Sequence, residues 1–171
     1  MQAQEVQVSK SSLIFYSHIE LTYDLFSNSF KYITTIDVSK VIVDQMNEII
    51  YSKYNLLYEV CDVLNLSSKY QQESFDVVIE KGLFDSLVCK KDCEPEINKM
   101  MKEIYRVLSK NGVFIFVSHS EPKKRECYID KSIWSFQYET PGLQLEIENE
   151  GGKGKKVEKS SEFYVYVLKK K

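Results

Sequence analysis

Apolar and polar positions along the chain follow two alternating periods. Short runs of β-branched, aliphatic and aromatic residues recur at 13–16, 32–36, 57–61, 75–79 and 113–117, each with the length and composition of a strand. Helical spacing separates most of them. Leu21, Leu25 and Phe26 set a short helical face, which turn chemistry at Asn28 and Ser29 ends. Ser39 suits an N-cap, and Val41, Ile42, Met46, Ile49 and Ile50 form the apolar stripe behind it. Pro95 fits a first helical turn, and Ile97, Met100, Met101, Ile104, Tyr105, Val107 and Leu108 then repeat at helical period. Gly112, after Lys110 and Asn111, fits a cap at the end of that helix. Such alternation predicts an α/β fold with a mostly parallel sheet. The nearly unbroken apolar character of the fourth and fifth runs agrees, because parallel strands are covered on both faces. The C-terminal part differs. Residues 133–138 and 163–168 read as strands with no helix signal between them, so an antiparallel C-terminal hairpin is expected. The intervening stretch 146–161 is charged and carries Gly151, Gly152 and Gly154, the composition of a mobile loop.

Length and charge narrow the function classes. The 171 residues make one domain, 1–171, large enough for a core without disulfides or metals. A net charge of -2 gives no electrostatic footprint for nucleic acid or an anionic membrane, and neither is expected as a partner. Residues 1–10 are polar and do not read as a signal peptide, and no apolar run is long enough to span a bilayer. Cys61, Cys89, Cys93 and Cys127 form no C-x-x-C pair; reduced thiols in a cytoplasmic protein follow. Cys89 and Cys93 are spaced to share a helical face, but two thiols without further His or Cys make no zinc site, and no metal is expected.

In an open α/β sheet, ligands bind beyond the carboxyl ends of the strands. Asp37, Asp62 and the pair Glu80 and Lys81 fall there on three successive strands. An acid ending the second strand can accept hydrogen bonds from ribose hydroxyls, and one ending the third can accept from an adenine amine. A single such Asp is as often a turn residue; the three in register favour a ligand. His18 and His119 also lie near strand ends, where a His can serve as general base or simply finish a strand. Trp134 and Phe136 either line a substrate channel or pack the hairpin onto the sheet.

The segment 75–87 reads FDVVIEKGLFDSL. It resembles the (Asp/Glu)-Lys-Gly-x-x-Asp-(Ala/Ser)-Leu signature of class I S-adenosylmethionine-dependent methyltransferases, in the branch containing the elongation factor 1A lysine methyltransferases. Residues 32–43, YITTIDVSKVIV, and 103–117, EIYRVLSKNGVFIFV, are similar to the second strand and to the helix, turn and fifth strand of that branch. The resemblance implies a three-layer, Rossmann-like methyltransferase sheet with the terminal hairpin. It also implies S-adenosylmethionine as cofactor and a protein lysine, on a translation factor, as methyl acceptor. Carried onto this chain, it implies that Asp37 with Val38 meets the ribose, Asp62 with Val63 the adenine, and that Lys81 lies near the cofactor. Asp85 matches the signature acid, or else caps the helix that follows.

One motif departs from the family pattern. The family places Gly-x-Gly-Asn-Ser or a variant after the first strand, where Phe15, Tyr16, Ser17, His18 and Ile19 align here. The first glycine of the chain is Gly82. Phe15 and Ser17 are thus the residues that would line the cofactor loop, and a Cβ there occupies space that glycine leaves open. The stretch before the first strand is short, and a more open, wetter site is expected. Two readings therefore stand: a lysine methyltransferase, or a catalytically inactive binding module or incomplete enzyme of the same fold. A nicotinamide-binding domain fits less well, since it requires the glycine fingerprint and lacks the hairpin.

Overall fold

The computed structural model describes residues 11–15, 19–28, 30, 32–54, 57–139 and 163–171. The expected loop at 146–161, together with Tyr16, Ser17 and His18, lies outside the described residues. Seven strands form one sheet: β1 (Ser11–Phe15), β2 (Tyr32–Asp37), β3 (Leu57–Val60), β4 (Phe75–Lys81), β5 (Leu108–Ser118), β6 (Trp134–Glu139) and β7 (Tyr164–Lys170), in the order β3-β2-β1-β4-β5-β7-β6. The first five run parallel, and β7 inserts antiparallel between β5 and β6. The expected hairpin pairing is present. The connections are α1 (Ile19–Ser27), α2 (Lys40–Tyr54), α3 (Leu83–Val88) and α4 (Glu94–Val107), with a short turn of helix, α5 (Pro122–Arg125), after β5. A 3₁₀ turn at Val63–Ser68, rather than a full helix, carries the chain from β3 toward β4.

Period-two alternation divides the strands between two faces. Leu13, Phe15, Ile36, Val78, Phe114 and Phe116 join Ile97, Met100 and Ile104 of α4 in the main core. Phe84 of α3 stacks on Phe116, centroids 4.8 Å apart, and Phe116 stacks on Tyr166 at 4.3 Å. Trp134 is buried and meets Tyr105 of α4 edge-on at 5.2 Å, so it packs the hairpin down and lines no channel. Phe136, half-buried, stacks on Tyr166 in the same layer. On the edge strand β3, Tyr58 donates its N–H to Asn47 Oδ1 (2.8 Å) and accepts from Asn47 Nδ2 (2.9 Å). These two bonds satisfy backbone groups that an edge strand would leave open.

Three local expectations are corrected. Among the described side chains of α2, Val43 is buried, Ile42 and Met46 are half-buried, and Val41 and Ile49 are exposed. On α1, Thr22 is buried and shares a 3.2 Å hydrogen bond with the Tyr58 hydroxyl, whereas Phe26 is exposed. Gly112 does not cap α4. That helix ends at Val107, the next residue Leu108 is already extended, and Asn111 takes the left-handed conformation, φ 62°. The β4–β5 ladder shifts register there, with Leu108 opposite Phe75 but Val113 opposite Val77. The excess residues bulge, and a Cβ on Gly112 would stand 2.8 Å from the Ser109 carbonyl oxygen. Among the described residues no helix is long and apolar enough to cross a membrane.

Candidate functional site

The parallel strands β1 to β5 bring their carboxyl ends to one edge. Register sets the row: Phe15 lies opposite Glu80, and Glu80 opposite Phe116. The N–H of Cys61 donates to the Asp37 carbonyl at 3.0 Å and ties the ends of β2 and β3 together. Sequence reasoning and structure therefore agree on placing Asp37, Asp62, Glu80 and Lys81 along one edge.

Each edge acid is held by its own turn. Asp37 Oδ1 accepts from the Ser39 N–H at 2.7 Å, and Ser39 caps α2. Asp62 Oδ1 accepts from the Leu64 N–H at 2.8 Å and caps the 3₁₀ turn. In each case one carboxylate oxygen fixes the side chain in its turn, as the turn reading of these residues expects. Val38 is 70% exposed beside Asp37, while Val63 turns into the core. Lys81 ends β4 exposed to solvent. The Phe15 ring belongs to the core, so only its backbone faces the edge residues' neighbourhood.

Glu80 is the residue that sequence reasoning placed without recognising its environment. It is fully buried, and its Oε2 accepts from the N–H groups of Leu83 (2.8 Å) and Phe84 (3.2 Å) at the start of α3. Its Oε1 is buried with no hydrogen-bond partner among the described residues. A buried carboxyl oxygen left unpaired is costly. Burial pushes the Glu80 carboxyl up to about 8, against the two N–H donors and Arg125, which favour the charged form.

Asp85 does not cap α3, as one reading of the sequence expected. Gly82, in left-handed conformation at φ 87°, occupies the N-cap of α3, and Asp85 lies within the first turn. Its carboxylate reaches across to β5, accepting from the Ser118 hydroxyl (2.5 Å), the His119 N–H (3.0 Å) and Arg125 Nη2 (2.7 Å). Burial alone would push this carboxyl up, but those three donors outweigh it and hold it below the ordinary range. His119 itself is exposed, its ring 4.4 Å from that of Phe163. Cys89 follows α3 and Cys93 precedes α4, so they flank a loop and share no helical face. No cluster of three metal-ligating side chains occurs among the described residues.

A parallel five-strand wall, an antiparallel pair threaded at its end, and acids at successive strand ends define the sheet of the class I, S-adenosylmethionine-dependent methyltransferases. A methyltransferase-domain family profile matches residues 18–164, and the chain belongs to that family. Its relatives include elongation factor lysine methyltransferases and a citrate synthase-lysine N-methyltransferase of Danio rerio. The chain is 29% identical over 133 residues to the EEF1A lysine methyltransferase 4 of Bos taurus, covering 71% of this chain and 51% of that protein. It is 32% identical over 102 residues to the eEF1A lysine and N-terminal methyltransferase of Xenopus laevis, covering 58% of this chain and 14% of that one. The chain thus spans about half the length, or less, of these curated relatives. Among solved structures, a SAM-dependent methyltransferase from Methanosarcina mazei superposes with a TM-score of 0.67 at 14% identity, over 96% of this chain and 94% of that one. The N-methyltransferase NodS from Bradyrhizobium japonicum, solved with S-adenosyl-L-homocysteine, gives 0.64 at 13% identity, over 94% and 78%. At these identities the likeness establishes the fold.

Proposed function

We propose that the chain transfers a methyl group from S-adenosylmethionine to a lysine amine of a protein, with a translation elongation factor as the first candidate. The observation that carries this is Glu80, a buried carboxyl whose Oε1 has no hydrogen-bond partner among the described residues, on the same strand-end row as Asp37 and Asp62. The residues present fit the cofactor. Asp37 beside exposed Val38 suits the ribose, Asp62 at the turn it shares with Val63 suits the adenine, and Lys81 ends β4 on the far side of β1. Phe15 ends β1 and would contribute backbone alone, because its ring is in the core; Ser17 stays a candidate from the sequence.

When bound, S-adenosylmethionine supplies an electrophilic methyl group. This chain has then to orient the acceptor and keep its amine neutral. Glu80 suits the second task. A carboxyl raised to about 8 is a far better proton acceptor for an ammonium group than an ordinary glutamate. A proton taken up by the ionised form would sit on the buried Oε1, while Oε2 stays held by Leu83 and Phe84.

The test is direct. Purified chain, S-adenosylmethionine and elongation factor are incubated, and the factor is read by mass spectrometry for a gain of methyl on lysine. Calorimetry with S-adenosylhomocysteine measures the cofactor site separately. Asp37→Ala and Asp62→Ala are each expected to weaken binding by about tenfold, the worth of one lost hydrogen bond to a charged group. Binding that is indifferent to both substitutions would remove these residues from the site.

A second reading is favoured by one observation: no glycine precedes Gly82, so the connection after β1 lacks the residues that let backbone approach a ligand. On that reading the fold serves as a binding module. Any turnover of S-adenosylmethionine by the purified chain refutes it.

A further inference from the structure

Arg125 is buried although it ends α5, where Lys123 and Lys124 are exposed. Its guanidinium joins three side-chain acceptors: Nε donates to Ser118 Oγ at 3.1 Å, and Nη2 to Asp85 Oδ1 at 2.7 Å and Ser120 Oγ at 2.9 Å, while Nη1 donates to the Lys124 carbonyl at 3.5 Å. The Tyr166 hydroxyl donates to the Ser120 carbonyl and closes the cluster onto β7. The ion pair is withdrawn from water on both sides. A pair of that kind adds little stability over an apolar replacement, because desolvation offsets the attraction.

What it does supply is geometry at the start of α3. Phe84 and Asp85 are adjacent, and each is held from the β5 side. The Phe84 ring stacks on Phe116 and carries the Arg125 guanidinium 5.6 Å from its centroid, while Asp85 is gripped by Ser118, His119 and Arg125. The same short stretch presents the Leu83 and Phe84 N–H groups to Glu80. A helix as short as α3 does not hold its own first turn in water.

We infer that Arg125 is a positioning residue: paired with Asp85 across the end of β5, it fixes the start of α3 so that Leu83 and Phe84 hold Glu80 on the carboxyl edge. It touches no reacting atom. The inference rests on the reading of that edge as the reaction site, but its consequence is measurable without cofactor.

The experiment is amide hydrogen exchange on the whole chain, comparing wild type with Arg125→Lys. Lysine keeps the charge yet cannot reproduce the planar fork that reaches three acceptors. Exchange at Leu83 and Phe84 is expected to accelerate by about tenfold or more, while Met100 and Ile104 in the core helix stay within about twofold. Unchanged exchange at Leu83 and Phe84, or equal acceleration at all four amides, would overturn the inference, the second because the pair would then serve the whole fold. Asp85→Asn, which keeps shape and removes charge, is read in the same way should Arg125→Lys not fold. If neither folds, the pair is a requirement of the fold and the inference fails. Calorimetry with S-adenosylhomocysteine on the wild type keeps the outcomes apart. Absence of binding refutes the proposed activity and leaves the exchange result to decide on Arg125.

Discussion

Glu80 and Asp85 share one short stretch of chain and titrate in opposite directions. Glu80 is raised to about 8 by burial, so the folded protein binds a proton that the unfolded chain has released above the ordinary glutamate range. Its contribution is complete below that ordinary range and is lost as pH rises toward 8. Asp85 is lowered by its donors, so its contribution is complete above the ordinary aspartate range and is lost as pH falls through the lowered value. Urea unfolding between pH 5 and pH 8 should therefore show wild type losing stability relative to Glu80→Gln as pH rises, and a parallel pH dependence in the two proteins would contradict the shift. The proposed activity carries its own signature. If ionised Glu80 accepts the lysine proton, kcat/KM rises with pH through a limb near 8, and Glu80→Gln lacks that limb. Asp37 and Asp62 were legible as site candidates because an acid directly after an apolar run is a local pattern. The state of Glu80 was not legible, because its burial depends on Phe84 folding back and on Phe116 arriving from another strand. Arg125 stands in a run of charged residues whose pattern gives no hint that one of them is buried.

At the scale of elements, the strands announced themselves through β-branched and aromatic runs, and their ends moved by a few residues in the structure. Helix faces were less legible. Val43 rather than Val41 is buried on α2, and Thr22 turns inward on α1 because the Tyr58 hydroxyl gives it a partner. The glycines separate two physical demands. Gly82 needs its backbone conformation, φ 87°, and has nothing within 4 Å of an added Cβ. Gly112 needs space alone, with the Ser109 carbonyl oxygen 2.8 Å away. Gly82→Asn should accordingly be milder than Gly82→Ala, which costs about 1–2 kcal/mol, since asparagine visits the left-handed region more readily. At Gly112 the order reverses. Alanine costs about 1–3 kcal/mol through overpacking and the larger asparagine costs more. Thermal or denaturant midpoints of the four variants decide it, and a common order at both sites would show that one demand governs both.

The described strands form a single sheet, and Trp134 packs its C-terminal edge strand against α4. Trp134 is the sole tryptophan, is buried, and meets α4 through Tyr105. Trp134→Ala should cost about 3–5 kcal/mol. In the wild type, tryptophan fluorescence and far-UV circular dichroism should report coincident unfolding if hairpin and parallel wall form one cooperative unit. A fluorescence transition that runs ahead would mean that the hairpin detaches first. The sheet order has a further consequence during synthesis. β7 lies between β5 and β6, yet it leaves the ribosome after both. At about 5–20 residues per second, the side of β5 that will receive β7 stays bare for several seconds after β5 has emerged. The nascent sheet is finished from within, by insertion rather than by addition at an edge. The nascent chain is therefore most open to capture by chaperones, or to pairing with a neighbouring polysome product, in the interval before Tyr164 appears.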